Sequence, residues 1–130
     1  MISGCQGQNY DAHYLGYFEL FNRGLFYESH DVLEELWLPD RKNSDGNFYK
    51  GLIQLAGAFV HLQKNRLRPA GALFKLACAN LQAYPELHHG LELPVVLRLI
   101  EVWLQRLEAG DFLINPLRPE SAPELRLRLG

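Results

Sequence analysis

Apolar residues recur at three- and four-residue spacing from Tyr14 to Leu107. The pattern breaks at Gly24, PDRKNSDGN, Asn65, Pro85 with ELHHGLE, and Gly110. That period predicts about five helices. The first runs from an Asp11 N-cap to about Asn22, with Tyr14, Phe18 and Phe21 on one stripe. Gly24 suits a left-handed helix end because it has no Cβ to clash, so the next helix follows around a tight corner. The second helix, about Leu25–Leu38, sets Phe26, Ser29, Val32, Leu33, Leu36 and Trp37 on one side. Tyr27, Glu28, Asp31, Glu34 and Glu35 lie on the other side, and His30 sits at the border. Pro39 stops it.

The third helix, from Asp45 or Asn47 to Lys64, is apolar nearly all round, the pattern of a central helix. Pro69 opens the fourth, whose stripe is Ala70, Leu73, Phe74, Ala77, Leu81 and Tyr84. The fifth runs from near Pro94 to about Glu108 and turns Leu93, Val96, Leu97, Ile100, Trp103, Leu104 and Leu107 inward. The expected fold is all-α: a single compact bundle with the second and third helices antiparallel at its centre, because short connections favour antiparallel neighbours. Residues 1–10 read as a flexible leader, 11–110 as the helical core, and 111–130 as a docked, then extended, tail. Phe112, Leu113 and Ile114 are expected to dock. No β-hairpin signal is visible, and His88 and His89 read as solvated loop residues.

Composition narrows the classes. A chain of 130 residues with 48% apolar and 12% aromatic residues fills one core without a metal or disulfide staple. A formal net charge of −2 with both signs spread along the chain argues against nucleic acid or a membrane surface as partner. No apolar run approaches the ~20 residues of a membrane span. The start of the chain lacks a basic region followed by an apolar run, so no signal peptide is expected. Cys5 and Cys78 are expected as free thiols, which places the protein in the cytoplasm. Apolar positions on the fifth helix and at Leu125, Leu127 and Leu129 suggest a homodimer.

The candidate chemistry lies between the second and third helices. Lys50, Gln54, Gly57 and His61 form a single polar or open stripe on the otherwise apolar third helix. His30, Asp31 and Glu34 come from the second helix. The simplest reading is a structural polar network, with Glu34 and Lys50 as an ion pair across the helix ends. A second is a small-ligand or partner-binding module, with Lys50 and His61 taking an anionic group. The third is a metal-assisted hydrolase in which His30, Glu34 and His61 hold Zn²⁺, Mn²⁺ or Fe²⁺ and leave positions open for water. HDVLE is not HExxH, and there is no nucleophile motif or phosphate loop, so composition and spacing leave the reaction, if there is one, unassigned.

The segments FNRGLFYESHDVLEELW and FYKGLIQLAGAFVHL resemble the core signature of domain-of-unknown-function family 309, a group of small helical proteins of bacteria and archaea. The similarity continues more weakly through AGALFKLACANLQAYP and GLEL, covering roughly residues 14–108. Matching positions include Asn22, Gly24, His30, Asp31, Glu34, Lys50, Gly51, Gln54 and His61. The resemblance implies an all-α bundle and supplies no established reaction.

Overall fold

The computed structural model describes residues 10–128. The leader before Tyr10, Cys5 within it, and Leu129 lie outside the described residues. Five α-helices follow in order: α1 (Ala12–Asn22), α2 (Phe26–Trp37), α3 (Gly46–Gln63), α4 (Leu67–Leu81) and α5 (Leu93–Ala109). The Asp11 carboxylate accepts the His13 N–H at 2.7 Å and so caps α1. Gly24 takes the left-handed conformation at φ 77°, and Asn65 does the same at φ 57° beyond α3. Both close helices at the places where the sequence pattern breaks.

Helix α3 is the centre. Phe48, Leu52, Leu55, Ala56, Ala58, Phe59 and Leu62 are fully buried. Phe59 joins the layers: its ring lies 5.0 Å from Phe26, 5.6 Å from Phe21, 5.1 Å from Phe74 and 5.0 Å from Trp103. Helices α2 and α3 are antiparallel. The start of α2 meets the end of α3 where the Gln63 side chain donates to the Gly24 carbonyl, and His30 lies beside Gly57. Helix α4 packs on the other flank at close range. A Cβ added at Gly51 would stand 2.8 Å from Leu81 Cγ, so only glycine permits that approach.

Two segments differ from the sequence expectation. The loop after α4 forms a small antiparallel hairpin, β1 (Leu87–His88) and β2 (Leu91–Glu92), with His88 opposite Leu91. His89 and Gly90 form its two-residue turn, at φ 48° and 76°. Hairpins favour left-handed residues at both turn positions, usually Asn-Gly or Asp-Gly, so His-Gly gives a weak signal. The C-terminal stretch is a strap over the bundle. Leu125 is buried, and Asn22 holds it by donating to its carbonyl at 2.7 Å and accepting its N–H at 2.6 Å. Leu127 then bridges to Leu91. The tail therefore uses part of its apolar surface internally, which reduces the surface ascribed to a dimer. Phe112 packs over Gly71, but Leu113 and Ile114 remain 80% and 62% exposed, contrary to the expected docking. Among the described residues no helix is long and apolar enough to cross a membrane.

Candidate functional site

The polar stripe of α3 lies between α2 and α4, both packed against α3. Gln54 accepts a hydrogen bond from the Asn80 amide of α4 at 2.7 Å. Gly57 lies between α4 and α2: a Cβ there would stand 3.2 Å from Leu73 Cδ1 and 3.9 Å from His30 Cδ2. Lys50 is exposed, and His30, Glu34 and His61 are half-buried.

These groups do not satisfy one another. Among the described ion pairs none joins Glu34 to Lys50, so the expected bridge is not formed. The helix register explains this. With His30 opposite Gly57, the antiparallel partner of Lys50 lies near Trp37, about one turn past Glu34. The same register separates the expected metal ligands. His61 falls opposite the start of α2, about 6 Å along the axis from His30 and on the side away from Glu34. Instead, donor atoms of His30, Asp31 and Glu34 gather within 4.8 Å of one another, all on α2, with His30 Nδ1 3.4 Å from Asp31. His61 is outside that group. Its Nδ1 is buried without a hydrogen-bond partner. Burial, followed by the charges of Arg66 and Lys64, lowers its pKa from the ordinary 6.5, so the ring is neutral at neutral pH.

A second cluster was not anticipated. Asp45, at the start of α3, meets both hairpin histidines: Oδ1 lies 2.8 Å from His88 Nε2 and Oδ2 lies 2.7 Å from His89 Nε2. The residues are 43 and 44 positions apart, so no local spacing reveals the meeting. Burial alone would raise the Asp45 pKa, but the hydrogen bonds from His89 and His88 outweigh it and hold the carboxyl below its ordinary value. An open cleft of about 760 Å³ lies elsewhere, under the C-terminal strap. Its lining mixes Arg23 and Arg118 with Glu120 and Glu124, so no single charge defines it.

The fold and its polar face define a small all-α bundle whose central helix presents unpaired functional groups between two flanking helices. Residues 14–73 match the model of the family described as a domain of unknown function (DUF309). That stretch contains most of α1, all of α2 and α3 and the first half of α4, hence the whole expected site. The chain is also similar to an uncharacterized protein of Aquifex aeolicus (strain VF5), 26% identical over 91 residues, or 70% of this chain. The aligned region is only 27% of that relative's length.

Proposed function

We propose that this protein is a small-ligand-binding module, with its site on the α3 face between α2 and α4. The observation that carries the reading is the lack of mutual pairing there. Groups recruited to hold a bundle together bond to one another; here Lys50, Glu34 and His61 Nδ1 do not, and Gln54–Asn80 is the single cross-helix hydrogen bond of the stripe. Lys50 offers a cation to an acidic ligand group, and neutral His61 carries an unpartnered ring nitrogen. Lys50 and His61 are about 16 Å apart along the helix, which suits an extended ligand. A half-buried free thiol at Cys78 fits a reducing, cytoplasmic setting.

The test has two parts. In urea unfolding, Glu34→Gln, Lys50→Met and the double variant should each change stability by about 0–1 kcal/mol, with coupling below about 0.5 kcal/mol. Strong coupling with large single losses would restore a structural network. In NMR titration with a panel of small dicarboxylates and phosphate esters, at least one ligand should shift Lys50, Gln54 and His61 together. Shifts confined to other surfaces would remove this site.

The grouping of His30, Asp31 and Glu34 favours a second reading, a divalent cation on α2 beside the same face. A metal-assisted reaction would then use these three donors in place of the His30, Glu34 and His61 set. His30→Ala should abolish any cation-induced shift at Asp31 and Glu34.

A further inference from the structure

The Asp45 cluster shares no residue with the α3 face. We propose that Asp45, His88 and His89 form a three-ligand site for one divalent transition-metal ion of the zinc class. Two imidazoles and one carboxylate suit Zn²⁺, Co²⁺ or Ni²⁺ and leave positions for water or an external ligand.

The convergence is built from two distant elements. Asp45 precedes α3, and the histidines belong to the hairpin between α4 and α5. Successive residues of a strand point to opposite faces, so neighbouring histidines would normally diverge. The chain turns left-handed at His89, φ 48°, and both rings reach one carboxylate. The Tyr14 hydroxyl donates to the His89 carbonyl at 2.9 Å and fixes that turn.

Asp45 is also freed from the task its position implies. An aspartate at an N-cap ordinarily accepts an N–H of the first helical turn. Here the Asp45 side chain makes no capping bond. The Tyr84 hydroxyl accepts the Phe48 N–H at 3.0 Å and donates to the Ser44 carbonyl at 2.9 Å. A tyrosine 36 residues away caps the helix, and both carboxylate oxygens turn to the histidines.

Aromatic rings hold the imidazoles. The Phe48 ring lies 4.7 Å from His88 and 5.7 Å from His89, and Tyr49 stacks on His89 within 8° of parallel. The side chains of Asp45 and His88 are 22% and 20% exposed, and that of His89 is 36% exposed, so the site is recessed yet open to an entering ion. Metal–ligand bonds of about 2.1 Å in a tetrahedral site set donor atoms about 3.4 Å apart. One donor atom from each of the three residues lies within 4.8 Å of the other two. Each histidine now faces a different carboxylate oxygen, at 2.7–2.8 Å, so a single ion would take both oxygens or the carboxylate would rotate to present one.

The test is titration of the full chain with Zn²⁺ by calorimetry and with Co²⁺ by visible absorption. One ion should bind at this site, and the Co²⁺ spectrum should show mixed nitrogen and oxygen ligation. Altering a residue that merely supports a metal ligand costs about 10–100-fold in affinity, so loss of a ligand should cost about 100-fold or more. The variants are Asp45→Asn, which keeps the shape and leaves the Tyr84 cap intact, and His89→Asn, because asparagine accepts the left-handed turn. His13→Ala, which removes a histidine outside both donor clusters, should leave the affinity unchanged. Nitrogen-detected NMR of the unaltered protein gives a readout independent of variant folding: Zn²⁺ should shift the ring nitrogens of His88 and His89 and spare His13 and His61. Absence of saturable binding, unchanged affinity in both ligand variants, or Zn²⁺ shifts that leave His88 and His89 unmoved would each overturn the proposal.

Discussion

The Tyr84 hydroxyl accepts the Phe48 N–H at 3.0 Å, so the start of the central helix is capped by a residue beyond the end of α4. The same hydroxyl donates to Ser44, which ties the loop before α3 to the segment after α4. Replacing Tyr84 with Phe keeps the ring and removes both bonds. The expected loss is about 1–2 kcal/mol in urea unfolding, the range of a lost cap. Asp45→Asn should cost less, because Asp45 does not cap. The reverse order of losses would show that Asp45 carries the helix start.

Asn22 is the clamp of the C-terminal strap. Its side chain makes both hydrogen bonds to the Leu125 backbone. Asn22→Ala would leave two part-buried backbone groups to find water, at a cost of about 1–3 kcal/mol. Hydrogen exchange at the Leu125 amide should accelerate more than exchange within α3. Unchanged exchange there would show that burial of Leu125 alone holds the strap.

Gly51 and Gly57 share the α3 helix but should respond differently to alanine. At Gly51 the new methyl would meet Leu81 Cγ at 2.8 Å and Asn80 Cβ at 3.2 Å. Overpacking of this kind costs about 1–3 kcal/mol, which exceeds the gain of about 1 kcal/mol in helix propensity or nearly cancels it. At Gly57 the nearest atom is Leu73 Cδ1, at 3.2 Å, the tip of a half-buried side chain. Gly57→Ala should therefore be the more stable of the two variants. Thermal unfolding of both would show it, and equal melting temperatures would contradict the close α3–α4 approach.

Acid should weaken the fold in two stages. The folded-state pKa of His61 is lowered below 6.5, by burial and then by Arg66 and Lys64, so the unfolded chain takes up that proton first. Its contribution is complete above about pH 6.5 and is lost as pH falls toward the folded value. Asp45 is also lowered, from 3.8. Its share is present above about pH 4 and is lost on further acidification. Urea stability followed from about pH 7 to 3 should show both stages. His61→Gln should flatten the first and Asp45→Asn the second. An unaltered profile in both variants would mean that other groups govern acid sensitivity.

The helices were legible because their signals are local. The stripe Tyr14, Phe18 and Phe21, the stops at Gly24 and Asn65, and the all-round apolar α3 depend on spacing within a few turns. Helical hydrogen bonds link residues four apart, so sequence alone determined the five helices, their order, the central helix and its polar stripe. Tertiary structure decided which polar groups meet. The Asp45, His88 and His89 cluster depends on a hairpin turn and on a tyrosine that takes over the helix cap, contacts spanning 36 to 44 residues. The failure of Glu34 to reach Lys50, and of His61 to join His30, depends on a shift of about one turn between antiparallel helices. Side-chain packing sets that register, and apolar periodicity along either helix is the same on both sides of such a shift.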